Sequence, residues 1–148
     1  MIKVETLGML DIAKINPVLT SANDVTNNSF LTVDGVTYLI MNDINGDDSY
    51  KDGVVIKAGE YLNGYDVSVW TGQKLVVDEK HVAYGSGEDY DDLAVEDTAN
   101  SVDATILTIN NNGKLAIASE APASGVYFVV TDKVTLTEKA VKVKVIVA

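Results

Sequence analysis

The closing stretch, "GVYFVVTDKVTLTEKAVKVKVIVA" (residues 125–148), decides the fold class. Val141, Val143, Val145 and Val147 alternate there with Lys142, Lys144 and Ile146. A period of two puts the valines on one face of a strand and the lysines on the other. This is the pattern of a half-buried strand with a solvated face. "GVYFVV" (125–130) is apolar on both faces, which places it at the centre of a sheet or at an interface. The pairs "TD" and "EK" divide the stretch, giving up to three strands.

Working toward the N-terminus, short β-rich runs alternate with turn signals. "FLTVDGVTYLIM" (30–41) has two apolar runs around Asp34-Gly35, a dipeptide suited to the positive φ angles of a type I′ hairpin. "ATILTINNNGKLAIAS" (104–119) reads as a hairpin around Asn112-Gly113. "VVIKAGEYLNGYDVSVW" (54–70) reads as a strand, a break at Gly59 and a turn at Asn63-Gly64, and "TGQKLVVD" (71–78) as a further turn and strand. No window carries a sustained helical stripe. "DYDDLAVEDTANSVD" (89–103) offers a short helix with acids in its first turn, or a loop. Seven to nine short strands are expected, hence an all-β fold: one β-sandwich or barrel-like domain.

The first 29 residues differ. They have no clean period, and Pro17 interrupts them, yet they contain Leu7, Met9, Leu10, Ile12, Ile15, Val18 and Leu19. A disordered tail would be more polar. We read residues 1–29 as an extended arm that buries these side chains against the domain or a neighbouring subunit, with residues 30–148 as the β domain. The alternative is that they supply the domain's first strands. "MIKVETLGML" lacks the long apolar core of a secretory signal.

Charge excludes some partners. Net charge is −11, and the bases are all lysine. Residues 31–103 hold sixteen acids against four lysines, whereas residues 104–148 hold three acids and five lysines. Nucleic acid and anionic membrane are disfavoured, since phosphates need cationic side chains to replace their counterions. No apolar run approaches transmembrane length. With no cysteine, thiolate chemistry and disulfides are absent.

Candidate catalysts are few. His81 is the one histidine, and "YGSGED" around Ser86 lacks the context of a nucleophile elbow. The paired acids cluster in turns, as on a solvated surface. No enzyme activity and no cofactor are expected. Trp70, Tyr61 and Tyr65 form a sugar-stacking platform if they share an exposed face; otherwise they are core. "NDINGDDSYKDG" (42–53) looks like a calcium loop, but an EF-hand starting at Asp43 would need Gly where Asp48 stands and Glu where Val54 stands. It reads as a turn. An irregular calcium site through Asp43, Asn45, Asp47 and Asp48 is the alternative.

Two segments carry a family resemblance: "SFLTVDGVTYLIMNDINGDDSYKDGVVIKAGEYLNGYDVSVWTGQKLVVDEKHVAYG" (29–85), and "LTINNNGKLAIAS" followed by "APASG" and the valine-rich closing strand. In style and pattern the chain resembles tailed-bacteriophage capsid decoration (head auxiliary) proteins over residues 30–148. The resemblance implies a structural virion protein on the capsid exterior, assembled in the host bacterial cytoplasm. It implies the major capsid protein as partner, a homo-oligomer with a trimer favoured, and an N-terminal arm touching the capsid. Leu7, Met9, Leu10, Ile12, Ile15, Val18 and Leu19 would then be partner contacts. Other phage components (tail, baseplate or fibre module) and a carbohydrate-binding β-sandwich are the alternatives.

Overall fold

The computed structural model describes residues 1–5, 15–16, 19–42, 53–96, 103–135 and 137–148. Their strands are β1 (Ile2–Val4), β2 (Ile15–Asn16), β3 (Val25–Thr26), β4 (Phe30–Val33), β5 (Val36–Ile40), β6 (Val55–Ile56) and β7 (Gly64–Asp66). There follow β8 (Lys74–Asp78), β9 (Val82–Ala83), β10 (Ile106–Ile109), β11 (Leu115–Ala118), β12 (Val126–Thr135) and β13 (Lys139–Val147). The helical elements among the described residues are short 3-10 turns, so the fold is all-β. The strands exceed the expected number because several are two-residue bridges too short to leave a periodic signal.

Three sheets form. The largest runs β1-β8-β13-β12-β10-β11-β9, the second β2-β7-β5-β4, and β3 pairs with β6 in the third. Among the described residues no sheet closes into a barrel. β12 is the middle strand of the large sheet, the central position that its apolar character implied. β13 beside it buries Val141, Val143 and Val145 completely, while Lys142 and Lys144 face outward.

Two cores separate three layers. The inner face of the large sheet packs on Phe30, Leu39, Met41, Val67 and Trp70. The opposite face of β5 contributes Tyr38 and Ile40 to a second core with Leu19, Val25, Ile56 and Leu62. β5 is thus covered on both sides, which explains the unbroken apolar run "YLIM". Amide side chains tie neighbouring segments: Asn27 Oδ1 accepts the Asn42 N–H at 2.8 Å, and Asn42 Oδ1 accepts the Asn63 N–H at 2.7 Å.

The Asp34-Gly35 turn forms as expected, with φ of 51° and 79°. Two other turn readings are corrected. Gly64 does not turn the chain. It opens β7, and a Cβ there would collide with the Leu19 and Tyr38 side chains. Glycine is required there for close packing rather than for a positive φ. Likewise "TD" does not end a strand. The register of β12 against β13 shifts between Val130 and Asp132, a bulge that absorbs one residue and lets the strand continue. The stretch therefore holds two long strands, not three.

Residues of the expected arm enter these layers. β1 pairs with β8, and Ile2 and Val4 lie in the main core at 0% and 3% exposure. The division at residues 29 and 30 therefore cuts through shared sheets and cores.

Candidate functional site

The seven apolar residues assigned to partner contact are not brought together as one free surface. Leu7, Met9, Leu10, Ile12 and Val18 lie outside the described residues. Ile15 sits in β2, opposite Tyr65. Leu19 is buried in the second core against the chain's own β5 and Leu62 segment, so it is no partner contact. The sequence could not separate these outcomes, because burial inside and burial against a neighbour require the same apolar side chains.

Asp43, Asn45, Asp47 and Asp48 also lie outside the described residues. Among the described residues no group of three or more acidic or histidine side chains stands ready for a metal. Trp70 is completely buried, and Tyr65 stacks on it with centroids 6.4 Å apart. Tyr61 is 71% exposed on a separate loop. The three aromatics make no common platform. His81 closes a 3-10 turn, Glu79–His81, and is itself buried rather than set on a strand face. Ser86 lies in an exposed turn where Glu88 Oε1 accepts the Gly85 N–H at 2.8 Å.

The "DYDD" stretch forms a 3-10 turn, Tyr90–Asp92, instead of an α-helix. Asp89 caps it, accepting the Asp91 N–H at 2.8 Å, while Asp92 Oδ2 accepts the Asp89 N–H at 2.7 Å. The acids thus satisfy the turn's own backbone. Tyr90 donates to the Ala140 carbonyl at 2.8 Å, and the Lys133 and Lys139 ammoniums each lie 5.2 Å from its ring centre. Burial, reinforced by Glu79, Tyr90 and Asp89, pushes the neighbouring Tyr84 phenol up to about 12.

Two surface features remain. The first is the outer face of the large sheet. Alternation along the strands turns Ile106, Ala118, Tyr127, Val129 and Ile146 outward, and all are half-buried. Beside this apolar patch runs a row of ion pairs. Lys142 meets Glu5 at 2.5 Å, Lys74 meets Asp132 at 3.1 Å and Lys144 meets Glu96 at 3.5 Å. The Thr131 hydroxyl, and after it Lys74, hold the Asp132 carboxyl below its ordinary value, while Glu5 raises Lys142. The signal for this face was legible in "GVYFVV", whose Tyr127 and Val129 are the outward set.

The second feature is a cleft of about 470 Å³ between residues 21–31 and the β10–β11 hairpin tip. Asn110 Oδ1 accepts the Asn112 and Lys114 N–H groups at 2.9 and 3.0 Å, fixing the tip. The Phe30 N–H donates to the Gly113 carbonyl at 3.0 Å and ties the tip to β4. Sequence reading saw the hairpin here but not the opposing wall, which comes from residues some eighty positions earlier.

No family model, curated protein or solved structure matches the chain.

Proposed function

We propose that this chain is a structural virion protein that decorates and stabilises the head of a tailed bacteriophage, docking on the major capsid protein. The observation that carries the reading is the outer face of the large sheet. Its apolar centre of Ile106, Tyr127, Val129 and Ile146 sits beside a margin of ion pairs. An apolar centre with a polar rim is the anatomy of a protein interface. The sequence resemblance over residues 30–148 supplies the partner. Full burial of each large apolar side chain contributes at most about 1.5–3 kcal/mol, and these are already half-covered. One copy would therefore bind modestly, and association between copies on a lattice would add avidity.

The test is co-sedimentation with tailed-phage heads from the same source assembled without this protein. The wild-type chain should pellet with heads, and Val129→Lys with Ile106→Lys should remain folded and stay in the supernatant. Failure of the wild-type chain to bind heads overturns the proposal. Undiminished binding by the folded double variant removes this face from it.

A further inference from the structure

We propose that the cleft between residues 21–31 and the hairpin tip binds a neutral oligosaccharide. Asn23, Thr26, Asn111, Asn112 and Lys114 line it, and none of these side chains hydrogen-bonds within the described chain. Leu31 is the half-buried apolar side chain of the lining, while Val25 and Phe30 turn their side chains into the two cores beneath it. The volume of about 470 Å³ lies within the range of small-ligand sites.

The lining selects the ligand class. A carboxamide offers donors and an acceptor together, and a sugar hydroxyl both donates and accepts. Three free amides and the Thr26 hydroxyl therefore match a polyol better than a group that only donates or only accepts. An apolar ligand would strand these polar tips without partners. Among the described residues lining the cleft, an anion would find one cation not engaged in an ion pair, Lys114, and the chain holds no arginine fork. A cation would find one acid, Asp24, but its Oδ1 accepts the Ala58 N–H at 2.9 Å and its Oδ2 meets Lys57 Nζ at 3.4 Å. The Ala58 N–H holds the Asp24 carboxyl below its ordinary value, chiefly, with Lys57 adding to it. The Leu31 side chain offers a small apolar contact for the C–H face of a pyranose. The Asn110 side chain and the Phe30–Gly113 hydrogen bond hold the backbone of the hairpin tip against β4, so the ordering cost of binding falls on the exposed side chains alone.

The experiment is an amide NMR titration of the full chain with maltotriose, chitotriose, mannotriose and galactobiose. At least one should give saturable shifts at millimolar concentration, concentrated in residues 21–31 and 110–114. The double variant Asn111→Ala with Asn112→Ala should keep a dispersed spectrum and bind about tenfold more weakly, the loss of roughly one good hydrogen bond. Tyr61→Ala, at the exposed aromatic away from the cleft, should bind as the parent does. Absence of saturable shifts with all four sugars overturns the proposal. So do shifts that centre on Tyr61, or a double variant that binds with unchanged affinity.

Discussion

The side chain of Asn28 holds the backbone of Ile2 as a neighbouring strand would. Its Oδ1 accepts the Ile2 N–H at 2.6 Å, and its Nδ2 donates to the Ile2 carbonyl at 2.9 Å. Both residues are fully buried. β1 is an edge strand of the large sheet, and a buried edge must still satisfy its backbone groups. The amide satisfies both groups of Ile2 from a residue whose own φ is 57°.

Replacing Asn28 with Ala should therefore be costly. It leaves the Ile2 N–H and carbonyl unpaired in the core and keeps a non-glycine residue at positive φ. A loss of about 2–4 kcal/mol is expected. Asn28→Asp keeps the acceptor and loses the donor, and the ionised carboxylate would be buried. Urea midpoints measure both. A loss under about 1 kcal/mol for Asn28→Ala would show that water replaces the amide without penalty.

The N-terminal strand should be indispensable to the domain. Ile2 is completely buried, and Ile2→Ala is expected to cost about 2–4 kcal/mol through lost contacts and a residual cavity. Deleting residues 1–5 also removes Val4 and exposes the outer edge of β8. The truncated chain should melt at markedly lower temperature and lose amide-exchange protection along β8. Full retention of the melting temperature would mean that β1 is an accessory strap.

Gly64→Ala should destabilise the second core by overpacking, by about 1–3 kcal/mol, because the new methyl meets Leu19. The companion Leu19→Ala opens space at the same point. A double-mutant cycle should show the pair less destabilised than the sum of the single changes. Strict additivity would place the strain elsewhere.

Acid and alkali should act on different partners in the ion-pair row. Asp132 has a lowered folded value, so its contribution is present above the unfolded carboxylate value of about 3.9 and is lost as pH falls through the folded value. Lys142 has a raised folded value, so its contribution is present below about 10.4 and is lost as pH rises through the folded value. Asp132→Asn should flatten the acid limb of the stability–pH curve most and the alkaline limb only slightly, because Asp132 also adds to the raised value of Lys142. Lys142→Gln should do the reverse. Denaturant midpoints across the pH range measure this, and an acid limb unchanged in Asp132→Asn would assign it to other carboxylates.

The local chemistry of several elements was legible in the residues. The valine–lysine alternation of 141–145 states which face is buried, because a strand's side chains alternate regardless of what covers them. Asp34-Gly35 states a hairpin, because few dipeptides tolerate two positive φ angles. Gly64 and "TD" misled for a shared reason. Glycine and aspartate punctuate turns by local preference, but here a close approach by Leu19 and a one-residue bulge use them within strands.

By itself, then, the sequence determined the all-β class, the half-buried closing strand and the doubly apolar character of residues 125–130. Those properties reside in period, turn chemistry and side-chain polarity, which act between near neighbours. Only the tertiary structure decided that Ile2, Val4 and Leu19 belong to the chain's own cores, and that Trp70 is sealed away from Tyr61. It alone brought Asn23 and Thr26 opposite Asn111 and Asn112 across a cleft. Those relations join residues tens of positions apart, and they follow from which sheets stack on which, a choice set by the summed packing of the whole chain and written in no single stretch of it.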